Sequence, residues 1–165
     1  MKMTRSVVGV ASMFWIATAM WSTTASASGQ VAAQAKREIE QALRGMETLQ
    51  ERGADGKELS KALYAEEIVI VGEGDSKAQR GLAAATAETQ GWLDSLGPNG
   101  VKTCKFTLVD PVVASRETFS SFVLLHCKAN PPVMREDQDL RMMYIWKKYP
   151  QGWRVVLEMF APGKF

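Results

Sequence analysis

The sequence has few of the side chains that bind metals or serve as catalytic nucleophiles. Its 165 residues include one histidine, His126, and two cysteines, Cys104 and Cys127. This set disfavours a zinc site, and the cysteines lack the Cys-x-x-Cys spacing of thiol redox centres. The chain also lacks a Gly-x-Ser-x-Gly nucleophile elbow and a phosphate-binding glycine loop followed by lysine. We therefore expect neither a metal nor a cofactor.

An excess of charge of one sign is also lacking. The chain has 20 basic and 18 acidic residues. Two of the basic residues, Lys2 and Arg5, lie in an N-terminal segment without acids, so residues 28–165 carry 18 charges of each sign. A balanced domain lacks the basic surface that nucleic-acid binding requires, and we expect no nucleic-acid partner.

The longest apolar run is shorter than a typical membrane span of about 20 residues. Residues 7–21 carry no charge, follow a basic start and precede the small residues at 25–27. This order is typical of a secretory signal peptide. The sequence predicts a signal peptide over residues 1–27, with cleavage after Ala27. The mature domain, residues 28–165, is then expected in the periplasm or outside the cell without stable membrane insertion, and an uncleaved anchor is the alternative.

The remaining sequence predicts helices first and strands afterwards. Apolar residues at helical spacing predict a helix over residues 28–52, a short helix after Asp55 and a third over residues 81–96. Segments rich in β-branched and aromatic residues predict strands at residues 68–71, 102–110, 118–128, 140–148 and 153–160. This layout indicates an α+β domain with its helices on one face of an antiparallel sheet.

The two cysteines suggest the register of one hairpin. If residues 102–110 and 118–128 pair around a turn at 114–117, Cys104 lies opposite Cys127. The same face then carries only apolar side chains, which are Phe106, Leu108, Val123 and Leu125. An oxidising compartment favours a disulfide, and two reduced core cysteines are the alternative. In this register His126 lies on the opposite face, beside Phe122 and Leu124, where a surface or subunit-interface role is expected.

Carboxylates are the remaining candidates for catalysis. Glu158 alternates with Phe160 in the last strand, and a carboxylate among apolar side chains can have a raised pKa and act as a general acid or base. Glu73, in the turn after the first strand, is a second candidate. Tyr64 and Tyr144 are candidate donors to an oxyanion. The simpler interpretation of Glu73 is a solvated surface residue.

Two segments together carry a resemblance to a known superfamily. Ala-Leu-Tyr-Ala-Glu-Glu-Ile-Val-Ile-Val at residues 62–71 precedes Arg-Gly at 80–81. Met-Tyr-Ile-Trp-Lys-Lys at 143–148 precedes Gly-Trp-Arg-Val-Val at 152–156. In this order they resemble the nuclear transport factor 2-like superfamily, in its SnoaL-like and ketosteroid-isomerase-like branch. The resemblance covers nearly all of residues 28–165.

The resemblance implies a cone-shaped domain with a pocket at the wide end of a curved sheet. It also implies a homodimer through the outer sheet face, with which Phe122 and Leu124 are consistent. The ketosteroid isomerase pattern has a tyrosine in the first helix and an acid in the penultimate strand. The first helix here has no tyrosine. The penultimate strand has Met142, Met143 or Tyr144 where the acid belongs. Ketosteroid isomerase activity is therefore not carried over to this chain.

Two functions from different classes remain open. The first is a binding module that holds a small apolar ligand or a protein partner, with Phe106, Leu108, Val123, Leu125 and Glu158 around the pocket. The second is an isomerase or lyase that uses Glu158 or Glu73 as a proton shuttle and Tyr64 or Tyr144 as a donor. A component of an envelope assembly is a weaker third interpretation.

Overall fold

The computed structural model describes residues 20–96, 104–129, 131 and 136–165. It contains three helices, namely α1 (Met20–Glu51), α2 (Gly56–Leu63) and α3 (Leu82–Leu96). The strands are β1 (Tyr64–Gly72), β2 (Gln79–Arg80), β3 (Cys104–Ala114), β4 (Thr118–Cys127), β5 (Gln138–Tyr149) and β6 (Gly152–Pro162). Each predicted helix and strand has a counterpart, and β2 is an addition that the sequence analysis did not predict.

The predicted signal peptide falls mostly outside the described residues. Residues 1–19 lie outside them, and residues 20–27 form the beginning of α1. Cleavage after Ala27 therefore remains a prediction. Within the described part of the chain, no helix combines the length and hydrophobicity that a membrane crossing requires.

A capping side chain and glycines help to set the boundaries and the packing of the helices. The backbone N–H of Glu58 donates to the side chain of Asp55, which caps α2 at a distance of 2.8 Å. Gly53, just after α1, has a φ of 80°, a conformation that glycine adopts at little cost. A Cβ at Gly56 would lie 2.7 Å from the backbone nitrogen of Gln90, so glycine lets α2 approach α3 closely.

The six strands form one sheet in the order β2-β1-β6-β5-β4-β3. All neighbouring strands are antiparallel except β1 and β6, which are parallel. The α+β class is confirmed, but the sheet is mixed rather than wholly antiparallel. The parallel pair results from the chain connection. After β1, the chain passes through β2 and α3 to β3 at the far edge of the sheet, and β6 returns beside β1 in the same direction.

The hairpin of β3 and β4 has the predicted register. Cys104 pairs with Cys127, and Phe106 pairs with Leu125. The two cysteines form a disulfide and are buried. Residues 102 and 103, at the start of the predicted strand, lie outside the described residues. Along β4, odd-numbered residues are buried beneath the helices and even-numbered residues lie on the outer face of the sheet.

An extra residue in β6 decides which of its side chains face the helices. Ile145 pairs with Leu157, whereas the next residue of β5, Trp146, pairs with Val155. This β-bulge places one more residue on β6 than on β5 and reverses the alternation of its side chains. Val155 is buried before the bulge, and Glu158 is buried after it. The bulge therefore turns Glu158 towards the helices.

Candidate functional site

A cavity of about 140 Å³ lies between the helices and the inner face of the sheet. Apolar side chains form most of its wall. Those from the helices are Met46, Leu59, Leu63 and Trp92. Those from the sheet are Phe106, Leu125, Leu140, Met142 and Phe160. Because its wall is apolar, the few polar groups at the cavity determine what it can recognise.

Glu158 is the buried carboxylate of this cavity. The residue is 5% exposed and pairs with Tyr144 across β5 and with Ile70 across β1. Burial raises its pKa from 4.5 to about 7, because the apolar surroundings disfavour the charged form. The hydrogen bond from Tyr64 lowers the pKa, and the nearby carboxylate of Glu88 raises it. Glu158 is thus poised to gain or lose a proton near neutral pH.

Tyr64 is the direct partner of Glu158. Its hydroxyl donates to Oε2 of Glu158 at 2.5 Å. Tyr64 is the first residue of β1 and pairs with Val155, just before the bulge, which brings together two residues 94 positions apart. Burial and the adjacent Glu158 both raise the pKa of the Tyr64 hydroxyl well above its usual value. The hydroxyl therefore keeps its proton and holds the carboxylate in place.

Tyr144 lies next to this pair, but its hydroxyl donates a hydrogen bond to a different residue. Its hydroxyl donates to the sulfur of Met142 at 3.0 Å, and sulfur is a weak acceptor. Burial and the nearby Glu158 raise the pKa of Tyr144 well above its usual value. Tyr144 is therefore a neutral donor whose present hydrogen bond would be easy to exchange for a stronger one.

The helical side of the cavity adds three polar residues. On α3, Glu88 accepts a hydrogen bond from Gln79, and Thr89 accepts one from the buried hydroxyl of Ser60 at 3.1 Å. Gln50 lies on the last turn of α1 and is only 2% exposed. Among the described residues, its Oε1 atom has no hydrogen-bond partner. The polar groups thus come from all three layers around the cavity, namely α1, α3 and the sheet.

The structure brings together most of the predicted site residues. Glu158, Tyr64, Tyr144, Phe106 and Leu125 all line the cavity. The other predicted residues lie elsewhere: Leu108 is half-buried away from the wall, Val123 is fully buried in the core, and Glu73 is exposed in the turn after β1. The inner face of the hairpin is therefore only partly cavity wall, because β3 and β4 continue into the packed core.

His126 lies on the outer side of β4, where the alternation predicts it. It pairs with Lys105 in the hairpin, and its Nδ1 atom lies 2.7 Å from Oδ1 of Asp139. This contact lowers the pKa of Asp139. In the part of the chain that the structure describes, no group of three or more histidine, cysteine, aspartate or glutamate side chains is placed to hold a metal ion.

The helical polar residues of the cavity were not among the site residues predicted from the sequence. Gln50 follows Ile39, Leu43 and Met46 at helical spacing, so its place on the apolar stripe was a usable signal. A polar residue on an apolar stripe departs from the local pattern, and such departures are expected at functional sites. Thr89 carried a comparable signal, because helical spacing places it on the inner side of α3 between Ala85 and Leu93. Glu88 lies off that stripe and carried none.

Comparisons with known proteins give the fold a name. No protein-family model and no curated protein matches the sequence. Solved structures do match. A nuclear transport factor 2-like protein with a cystatin-like fold from Novosphingobium aromaticivorans is 18% identical, with a TM-score of 0.62 over 84% of this chain and 88% of that one. A nuclear transport factor 2-like protein from Shewanella oneidensis is also 18% identical, with a TM-score of 0.60 over 76% and 98%.

The chain has the nuclear transport factor 2-like fold. A ketosteroid isomerase-like protein from Erwinia carotovora is similar as well, at 15% identity and a TM-score of 0.56 over 78% of this chain and 96% of that one. At such identities the likeness concerns the fold, and fold alone does not determine function. The cavity and its polar groups, rather than the fold, therefore indicate the function.

Proposed function

We propose that the protein binds a small, mostly apolar ligand in the cavity between its helices and its sheet. The observation that carries the proposal is the cavity of about 140 Å³, whose wall is apolar except for a few inward-facing polar groups. A buried apolar cavity of about 150 Å³ in another protein stays dry and binds benzene, so this volume suits a ligand with one or two small rings. The polar groups would orient such a ligand.

Native mass spectrometry of the protein purified from its own host tests this proposal. Extra mass that survives gentle ionisation and disappears on denaturation is the expected result, and its size identifies the ligand class. A clean mass of the protein alone, together with no binding of small aromatic probes, would contradict the proposal. Co-purification of a second polypeptide instead would favour the protein-partner alternative.

An isomerase or lyase activity is the second candidate, and the pair of Glu158 and Tyr64 favours it. A buried carboxylate whose pKa is about 7 is matched to proton transfer at neutral pH. Glu158 could take a proton from a carbon next to a carbonyl group and return it to another atom of the same molecule. The neutral hydroxyl of Tyr144 could turn from Met142 and donate to the oxyanion that forms.

Proton exchange on a simple ketone tests this second candidate. In D₂O, cyclopentanone would exchange its α-hydrogens faster with the protein present, with a rate that rises through a pKa near 7. Glu158→Gln would abolish the acceleration, whereas Glu73→Gln, at an exposed site outside the cavity, would not. No acceleration with the wild type, or equal rates with Glu158→Gln, would reject the assignment.

We also propose that the protein is a homodimer through the outer face of its sheet. One row of apolar residues crosses five strands in register, and its members are Val71, Met159, Met143, Phe122 and Val109. Met159, in this row, is 48% exposed. Phe165 is 58% exposed and packs edge-on against Phe122, which extends the patch. Contiguous apolar surface of this kind is typical of interfaces.

Light scattering after size-exclusion chromatography tests the dimer. The wild type would have twice the mass of one chain, and Met143→Glu in the middle of the row would give a monomer. Lys57→Glu on the exposed side of α2 is the matched control and would leave the dimer intact. A monomeric wild type at micromolar concentration would contradict the proposal.

Export from the cytoplasm is supported by the N-terminal sequence and by the disulfide between Cys104 and Cys127. Intact-mass measurement of the protein from its host would give a chain that begins at Ser28. Retention of residues 1–27 would instead support an N-terminal anchor and an envelope assembly.

A further inference from the structure

Gln50 carries the one buried side-chain nitrogen or oxygen atom without a hydrogen-bond partner in the described part of the chain. The residue is 2% exposed, its side chain lines the cavity, and its Oε1 atom accepts no hydrogen bond. A buried carbonyl oxygen without a donor is costly, and such atoms are rare in native proteins. An unpaired oxygen at a cavity therefore calls for a donor that enters the cavity from outside the chain.

Among the described residues, no donor of the cavity wall bonds to that oxygen. Met46, one turn before Gln50 on α1, and Leu59 and Leu63 on α2 line the same cavity and have no donor in their side chains. The hydroxyl proton of Tyr64 is already donated to Glu158. Gln50 is therefore a second polar point of the cavity, separate from the pair of Tyr64 and Glu158.

We propose that Gln50 is the specificity residue of the cavity and that it selects ligands with an N–H or O–H donor. The ligand class is a compact, mostly apolar ring compound with one such donor, for example a phenol or an indole. The donor would bond to Oε1 of Gln50 while the ring fills the apolar part of the cavity. This inference rests on the ligand-binding function proposed above and adds the polarity and orientation of the ligand.

Two probes of nearly the same shape isolate this contact. Indole has a ring N–H donor, and benzofuran has a ring oxygen in the same position. In isothermal titration calorimetry with the full chain, the wild type would bind indole roughly tenfold more tightly, as one hydrogen bond to an otherwise unpaired group implies. This comparison needs no variant, so it does not depend on the folding of a mutant.

Gln50→Met, of nearly the same shape but without the carbonyl, would bind both probes with equal affinity. It would also melt at an equal or higher temperature than the empty wild type, because it removes a buried unpaired oxygen. Gln41→Met is the matched control, since Gln41 is exposed on the same helix. It would keep the preference for indole. Gln50→Leu is a second variant with the same expectation as Gln50→Met.

The outcomes separate the inference from the function on which it rests. Equal binding of both probes to the wild type, or a preference for indole that survives in Gln50→Met and Gln50→Leu, overturns the role of Gln50 but leaves ligand binding intact. A preference for benzofuran overturns the proposed polarity. Failure of the wild type to bind either probe overturns ligand binding and the role of Gln50 together.

Discussion

The layer of side chains between the helices and the sheet is packed differently at its two ends, although α1 and the same strands contribute to both. At one end, which we call the filled end, Trp146, Trp153, Phe119 and Ile39 are all at most 4% exposed, and none of them lines the cavity. At the other end, the cavity end, Gln50 and Glu158 border an open space of about 140 Å³. Close packing and open space thus occupy opposite ends of one layer.

Two glutamates make the difference concrete, because each accepts a hydrogen bond from an aromatic side chain. At the filled end, Glu38 accepts from the Trp153 indole N–H at 2.7 Å and from Lys148. The hydrogen bond from Lys148 is the main cause that lowers the pKa of Glu38 to about 2. At the cavity end, Glu158 accepts from Tyr64 without a cation, and burial raises its pKa to about 7.

The contrast shows that a nearby cation and solvent, rather than the residue type, decide what a carboxylate can do. Glu38 stays charged over the whole physiological range and ties α1 to the hairpin of β5 and β6. Glu158 changes charge near neutral pH and borders a cavity, which is the combination expected of a functional group. Variants at both ends and at the disulfide test this comparison.

The largest effect is expected from Trp146→Ala at the filled end. Trp146 is fully buried, and its indole N–H donates to the buried hydroxyl of Ser121 at 2.9 Å. Truncation of a buried tryptophan costs about 4 kcal/mol of unfolding free energy. Trp92→Ala, at the half-buried wall of the cavity, should cost less than half as much. Urea denaturation monitored by circular dichroism measures both, and equal costs would contradict the division into a filled end and a cavity end.

The second effect is the loss of the disulfide in the Cys104→Ala, Cys127→Ala double variant. The cysteines are 23 residues apart, and a closed loop of this length contributes about 3.5 kcal/mol in the chain-entropy model. The unfolding free energy should fall by about this amount. A reducing agent should lower the melting temperature of the wild type but leave that of the double variant unchanged. No response of the wild type to reduction would show that the bridge is not formed in solution.

The third effect is a change in the pH dependence of stability in Glu158→Gln. Since folding raises the pKa of Glu158 from 4.5 to about 7, the folded state holds a proton that the unfolded state has already released. The stabilisation of the folded state by this proton is complete below pH 4.5 and is lost as the pH rises through about 7. The wild type should therefore lose up to about 3 kcal/mol over this window.

Glu158→Gln keeps the hydrogen bond to Tyr64 but cannot titrate, so its stability should be flat over the same window. Denaturation curves at pH 4.5, 6 and 8 measure the difference. Parallel curves for the wild type and the variant would show that Glu158 does not titrate in this range.

The smallest effect is expected from Glu38→Gln. Its side chain is 35% exposed, so screening by solvent limits its contribution to about 1 kcal/mol. With a folded pKa lowered to about 2, the contribution is present above pH 4.5 and is lost as the pH falls towards 2. Acid titration of the melting temperature measures it. Glu117→Gln, in the exposed turn before β4, is the control and should follow the wild-type curve.

The sequence could predict features that depend on neighbours along the chain. The stripe on α1, the Asp55 cap and the hairpin register of Cys104 with Cys127 follow from helical periodicity and strand alternation. The resemblance to the nuclear transport factor 2-like superfamily is confirmed at the level of fold. The two-residue strand β2 escaped prediction because so short a segment has no periodicity of its own.

The cavity was only half predictable for the same reason. Phe106 and Leu125 follow from the hairpin register, but that register extends equally to Leu108 and Val123, which do not line the cavity. Where the packed core stops and the cavity begins depends on how α1 and α2 sit on the sheet. Strand alternation carries no information on how far these helices lie from the sheet.

The sequence by itself determined the order of elements, the balance of charge and the pairing of Cys104 with Cys127. Only the tertiary structure decided that Glu158 faces the helices, because one extra residue in β6 reverses the alternation of its side chains. It also decided that Tyr64 meets Glu158 and that, within the described residues, Oε1 of Gln50 has no hydrogen-bond partner. These facts depend on contacts between segments far apart in the chain, and local patterns do not encode such contacts.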